Sequence, residues 1–184
     1  MLANFSQDAS KRGSVGEPVP GREVKLAPLE AGSSEGADIG EILVRGPGLF
    51  DGYYKPWRLR EEVVADGWLR TGDLARRDGD GYFWIIGRIK EVINVGGVKV
   101  FPYEVEEVLM SHPAVEEAVV YGVAEPRFGE APHAKVKLRA GASCTERELL
   151  RHVNDKLSVF KSLRGVEFVE EIPKTVTGKP KRTS

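Results

Sequence analysis

Gly67-Trp68-Leu69-Arg70-Thr71-Gly72-Asp73-Leu74, followed at once by Gly87-Arg88-Ile89-Lys90-Glu91-Val92-Ile93-Asn94-Val95-Gly96-Gly97, decides how this chain is read. Asp66-Gly67 marks a tight turn before Trp68, and the two runs together set Asp73 and Arg88 at the two ends of one short β segment, with a glycine pair beyond. Upstream, residues 1–22 are rich in Gly, Ser, Pro and charge and read as a loop. Strands are expected over 22–26 and 40–45, separated by a polar connection at 30–36, and 59–64 reads as a short helical turn. Asp78-Gly79-Asp80-Gly81 is a hairpin signal between 74–76 and 82–86, so the chain reads as a β meander up to Ile86.

Beyond Arg88 the pattern changes. Val105, Val108 and Leu109 recur at helical spacing behind Pro102, and His112-Pro113 stops that helix. Residues 115–123 read as an apolar strand, and Ala134, Val136 and Leu138 alternate with Lys135, Lys137 and Arg139 as a half-exposed one. Thr145 and Glu148 have capping-box spacing and open a helix carrying Leu149, Leu150, Val153 and Leu157. A last strand is expected over 166–172. Alternating helices and strands imply a small α+β domain with its own core.

With 27 Lys and Arg against 28 Asp and Glu, the formal net charge is -1, so no global field favours nucleic acid or an anionic membrane. The one cysteine, Cys144, excludes an internal disulfide, and no Cys or His cluster has metal-ligand spacing. No apolar run approaches the ~18 residues of a membrane span and no leader pattern opens the chain, so a soluble, cytoplasmic protein is expected.

By itself Asp73 is either an ordinary turn carboxylate or a bidentate acceptor for two hydroxyls of a ribose. Gly87 and Lys90 offer a backbone swivel and a solvated charge, or simply a strand end. Gly96-Gly97 alone is a turn. The tail Pro173-Lys174-Thr175-Val176-Thr177-Gly178-Lys179-Pro180-Lys181-Arg182 lacks the spacing of a Walker loop, and read as charge alone it is a solvated basic terminus. His112, His133 and His152 form no catalytic set: the first two adjoin prolines in turns and the third lies in a helix. Nothing marks Cys144 as an activated thiolate.

Taken in order, the runs around Asp73, Arg88 and Gly96-Gly97 and the tail P-x-x-x-x-G-K-x-x-R (Pro173, Gly178, Lys179, Arg182) resemble the adenylate-forming superfamily of acyl-CoA synthetases, luciferases and peptide-synthetase adenylation domains. The resemblance implies an α+β architecture in which residues 1–86 are the β-rich end of the large AMP-binding domain, 87–91 the hinge and 92–184 the small C-terminal domain. It implies that Asp73 holds the ATP ribose, Arg88 contacts the nucleotide, Lys90 is the pivot, Gly96 and Gly97 lie along the pantetheine arm of CoA, and Lys179 is the catalytic cation. Many members carry Asp where this chain has Lys90, which matches the luciferase-like wording, and the glycine loop favours free CoA over a carrier protein.

The same resemblance places the phosphate loop, the acyl pocket and the segment that holds adenine and Mg²⁺ before Met1, which is then read as an internal methionine. The expected function is the C-terminal part of an ATP-dependent ligase joining a carboxylic, fatty or otherwise hydrophobic acid to CoA, inactive as residues 1–184 alone. The alternatives are a non-catalytic remnant or interaction module that keeps the fold, and a fragment of a carrier-protein adenylation domain.

Overall fold

A computed structural model describes residues 2–29, 38–55, 57–175 and 180–182. The mixed α+β class is as expected, and the chain divides into two compact units, Met1–Lys90 and Glu91–Ser184. The polar connection anticipated at 30–36 lies outside the described residues.

The first unit contains the short strands β1 (Leu2–Ala3) and β2 (Glu17–Pro18), then β3 (Glu23–Pro28), β4 (Asp38–Arg45), β5 (Gly52–Tyr53), β6 (Arg58–Leu59), helix α1 (Arg60–Val63), β7 (Val64–Ala65), β8 (Trp68–Arg77) and β9 (Phe83–Arg88). Its main sheet runs β3-β4-β8-β7, with β9 farther along the same edge of β8 as β7, every pair antiparallel. Asp66 and Gly67 have φ of 51° and 78°, the paired positive values that a two-residue hairpin loop needs to follow strand twist. Ile42, Val44, Ala75 and Phe83 form the core, with Leu2, Val15, Val24, Leu26 and Leu49 packed on it.

Residues 1–22 are not the plain loop their composition suggests. Val15 N–H donates to Phe83 O at 2.8 Å and Phe83 N–H to Gly16 O at 3.0 Å. The Lys11 ammonium is buried and stands 2.6 Å from both Asp78 and Asp80. Those two bonds raise the lysine pKa, so this segment is fastened to the β8–β9 turn by charge as well as by strand pairing.

The second unit contains β10 (Ile93–Val95), β11 (Val98–Val100), α2 (Pro102–Met110), β12 (Val115–Glu125), β13 (Gly129–Leu138), α3 (Glu146–Asn154) and β14 (Gly165–Phe168). Its sheet order is β11-β10-β13-β12, and β14 joins β13 in parallel. α2 packs on β12, α3 on β14, and the two helices on each other. Val105, Leu109, Leu149 and Val153 close the core from the helical side against Val115, Val120, Ala134 and Val136. The capping box is made in full: Glu148 N–H donates to Thr145 Oγ1, and Thr145 N–H to Glu148 Oε2 at 2.7 Å.

Two local readings are corrected. His133 lies within β13, not in a turn. Its neighbour Pro132 is tolerated there because the Pro132 carbonyl faces Arg164 N–H at 2.9 Å, so the missing N–H also points away from β12. The final strand ends at Phe168 rather than 172: Val169 N–H still reaches Val136 O at 3.0 Å, then the chain turns off before Pro173 and Ile172 is buried apart from the ladder.

His152 joins the two helices, its Nε2 lying 3.0 Å from Val108 O, 2.9 Å from Ser111 Oγ and 3.1 Å from the Lys156 ammonium. Burial, then Lys156, pushes its pKa below the ordinary value near 6.5. The fold therefore prefers the neutral ring. Stability from this group is complete above the unfolded value and is lost as pH falls towards the depressed folded one. Denaturation midpoints at about pH 7.5 and about pH 5.5 should fall for the parent chain, and His152→Gln should lose less across that interval.

Candidate functional site

Asp73 owes its position to an irregularity in β8. Glu41 pairs with Leu74 and Leu43 with Arg70, so Thr71, Gly72 and Asp73 together face Ile42 alone. Gly72 takes φ 72°, a value that favours glycine. Thr71 Oγ1 donates to Ile42 O at 2.9 Å and accepts from Asp73 N–H at 3.1 Å. Glu41 is 2% exposed and fastens the bulge from beneath. Its Oε1 accepts Gly72 N–H at 3.0 Å, and its Oε2 accepts Arg70 Nε at 2.9 Å as well as the second Arg70 nitrogen.

Asp73 and Arg88 do not sit at two ends of one segment. They are cross-strand partners on β8 and β9, with Arg88 Nε 2.9 Å from Asp73 Oδ1. Both side chains keep partial exposure, 31% for Asp73 and 45% for Arg88. Among the described residues Asp73 is the one charged residue lining a recess of about 300 Å³ whose walls include Leu2, Val15, Ile42, Val44 and Ile85. A carboxylate at an apolar recess can accept hydrogen bonds from neighbouring hydroxyls while the walls take a flat apolar group. Past Arg88, Lys90 is exposed in the 3₁₀ turn Ile89–Glu91.

In the second unit Gly96 and Gly97 are the two-residue turn joining β10 to β11, with φ of 61° and 88°. Gly96 N–H donates to Phe128 O at 2.7 Å and Gly97 N–H to Asn94 Oδ1 at 2.9 Å. A methyl at Gly96 would lie 3.3 Å from the Phe128 ring, whereas at Gly97 nothing stands within 4 Å, so Gly97 is required by backbone conformation rather than by room. Phe128 also borders a cavity of about 390 Å³ together with Phe160, Arg127, His133 and Arg164. The sequence reading missed this cavity, since its two phenylalanines are 32 residues apart.

Lys179, with Thr177 and Gly178, lies outside the described residues. The chain on either side of it is anchored. Lys174 pairs with Pro180, and Lys181 N–H donates to Pro173 O at 2.8 Å. Arg182 forks onto Glu106, Nε to Oε1 at 3.2 Å and Nη2 to Oε2 at 2.9 Å, and reaches Glu91 Oε2 at 3.1 Å. Glu106 is buried and also accepts Val120 N–H at 2.9 Å. Arg182 is therefore no part of a solvated basic tail. Glu41 and Glu106 escaped the sequence reading, although a carboxylate inside an apolar strand or on the core face of a helix was the available signal.

His112 and His152 are brought together, ring centroids 4.9 Å apart at near right angles, but they serve the α2–α3 contact. Burial, then Glu148, pushes the Cys144 thiol upward, away from thiolate character. Among the described residues no group of three His, Cys, Asp or Glu could hold a metal ion, and no helix is long and apolar enough to cross a membrane.

Residues 104–179 match the family described as AMP-binding enzyme C-terminal domain. The chain is 41% identical over 177 residues to the sulfoacetate–CoA ligase of Cupriavidus necator, covering 92% of this chain and 33% of that protein. It is 38% identical over 178 residues to the long-chain-fatty-acid–CoA ligase of Bacillus subtilis, covering 96% and 32%. ATP-bound MatB from Rhodopseudomonas palustris superposes with a TM-score of 0.80 at 36% identity, over 91% of this chain and 34% of that one. Residues 104–179 carry the AMP-binding enzyme C-terminal domain, and over nearly its whole length the chain is similar to CoA ligases. It spans about a third of the length of the curated relatives it matches. The matched segment begins at Glu104 and ends at Lys179, so Asp73, Arg88 and the Arg182 anchor all lie beyond it.

Arg182→Ala should leave the Glu106 and Glu91 carboxylates without their counter-ion and lower the stability of the chain by about 1–3 kcal/mol. Lys181→Ala, one residue away and exposed, should stay within about 0.5 kcal/mol. Urea denaturation of both variants checks this, and equal small effects would return Arg182 to a solvated terminus.

Proposed function

We propose that this chain is part of an ATP-dependent acid–thiol ligase of the AMP-forming kind. A carboxylate attacks the α-phosphorus of ATP and expels pyrophosphate; the thiol of CoA then attacks the acyl carbon and expels AMP. The observation that carries the reading is the Asp73–Arg88 pair beside the apolar recess. There Asp73 accepts the ribose hydroxyls, and Arg88 holds the carboxylate in place while its other N–H groups face the nucleotide. The Glu41 clamp keeps that carboxylate from wandering, which is what positioning requires.

For the thiol step, the rigid Gly96-Gly97 turn gives the pantetheine arm a path without side chains. The neighbouring cavity supplies aromatic surface from Phe128 and Phe160 and cations from Arg127 and Arg164, a composition that suits the phosphorylated adenosine end of CoA. Lys179, whose ammonium is a compact point charge, neutralises the charge that develops at the α-phosphate. With Lys90 as the pivot, Lys179 serves the first half-reaction and Gly96-Gly97 the second. The Mg²⁺ that accompanies ATP finds no donor set among the described residues, so no step is assigned to it here.

Two relatives named for different acids, sulfoacetate and a long-chain fatty acid, match nearly the same stretch at 41% and 38% identity. Similarity over this chain therefore does not by itself assign the acid. A fatty or otherwise hydrophobic acid is our assignment, supported by the Bacillus subtilis relative.

The test is kinetic. In an enzyme that contains this segment, Lys179→Ala should slow acyl-adenylate formation from acid and ATP by ~10²–10³-fold, the loss expected for one electrostatic stabiliser. Thioester formation from preformed acyl-adenylate and CoA should survive. Equal losses in both assays would contradict the division of roles, and no loss in either would remove Lys179 from the chemistry. Residues 1–184 alone should give no ATP–pyrophosphate exchange with any carboxylic acid.

A further inference from the structure

The recess beside Asp73 takes its walls from two parts of the chain. Ile42, Val44, Thr71 and Ile85 come from the sheet, and Leu2 and Val15 from the segment ahead of β3. The sheet residues sit in long antiparallel ladders. The segment is built from the two-residue strands β1 and β2 and the 3₁₀ turn Ala9–Lys11, elements too short to hold a wall in place by themselves.

Lys11 supplies the fastening. Its ammonium stands 2.6 Å from both Asp78 and Asp80 and lies over the Tyr82 ring at 4.9 Å. The receiving turn is shaped for it: Asp78 Oδ1 accepts Asp80 N–H at 3.1 Å and Tyr82 N–H at 2.8 Å, which leaves Oδ2 for the lysine. From Lys11 the hold passes back to the recess. Asn4 Nδ2 donates to Lys11 O at 2.9 Å and to Ser14 Oγ at 3.0 Å, tying the turn to the residue after β1 and to the neighbour of Val15. Gly16 lies so close to β1 that a methyl on it would overlap the Ala3 carbonyl. Leu2 and Val15 are thereby tied to Lys11. The Asp78–Asp80 turn closes the β8–β9 hairpin at the end opposite the Asp73–Arg88 pair, and Lys11 is no part of the recess lining. Without the ammonium, Asp78 and Asp80 would face each other as uncompensated like charges.

We propose that Lys11 is a positioning residue for the Asp73 recess: its clasp on Asp78 and Asp80 holds Leu2 and Val15 where they wall the recess, and so sets the affinity for the nucleotide whose ribose meets Asp73. This role rests on the reading of Asp73 as ribose acceptor, and Lys11 itself touches no substrate. A loosened wall costs binding rather than chemistry, because Leu2 and Val15 carry no group that reacts or stabilises charge.

Steady-state kinetics of acyl-adenylate formation, in a full-length ligase containing this segment, test it. Lys11→Met keeps an apolar stem and removes the charge; KM for ATP should rise by about tenfold while kcat stays within about twofold. Asp78→Asn/Asp80→Asn should do the same, and adding Lys11→Met to that pair should cost nothing further, since the three groups act as one unit. Lys11→Arg should keep the KM within about threefold of the parent. Asp80 is 75% exposed, so Asp80→Asn alone puts little of the fold at stake. It should raise the KM by about threefold with an unchanged urea midpoint. Asp73→Ala is the control for the ribose reading. If it raises the KM while Lys11→Met and Asp80→Asn do not, the clasp is overturned and the ribose reading stands; if it leaves the KM unchanged, both are overturned. A fall in kcat at unchanged KM, or additive losses in the triple variant, would also overturn the role of Lys11.

Discussion

A carboxylate at position 41, buried between β4 and β8, accepts Gly72 N–H on one oxygen and Arg70 on the other, and the shape of the Thr71-Gly72-Asp73 bulge follows from those bonds. Burying an ionised carboxylate costs several kcal/mol unless its lone pairs are met. Here they are met only while Gly72 keeps its left-handed backbone, because a flat register would turn that N–H away. The bulge is thereby the conformation that satisfies Glu41. Asp73 then emerges opposite Arg88 rather than along the strand from it.

The second unit solves a similar problem in the same way. Glu106 points from α2 towards the sheet, takes Val120 N–H, and is neutralised by the planar fork of Arg182. Glu91, at the start of this unit, shares that guanidinium. One arginine near the chain end thus binds the beginning of the unit, its first helix and the segment following Lys179. In both units a carboxylate that would be unstable alone joins a backbone N–H to an arginine, and the residues proposed to act on substrate lie within a few positions of that joint.

Local rules carried much of the sequence reading. The Asp66-Gly67 and Gly96-Gly97 turns, the Thr145–Glu148 capping box, Pro102 at the first turn of α2 and the alternation of β13 all depend on neighbours a few residues apart. What failed depended on distant partners. Residues 1–22 look like a loop by composition, yet Lys11 finds Asp78 and Asp80 some 67 and 69 positions away. Pro132 argued for a turn around His133 because the direction of its carbonyl is not written in the local sequence. The basic residues of the tail read as solvent-facing until Glu106 and Glu91 are placed beside Arg182.

The sequence by itself carried the family resemblance, the α+β class, most element positions and the residues proposed for chemistry, because motif wording and periodicity are short-range properties. Only the tertiary structure decided that Asp73 and Arg88 face each other, that Glu41 and Glu106 are the buried partners holding the two candidate regions, and that Phe128 and Phe160 share one cavity. Each of those facts is a meeting of side chains far apart along the chain. Strand register and helix packing bring them together, and the desolvation of their polar groups fixes the geometry.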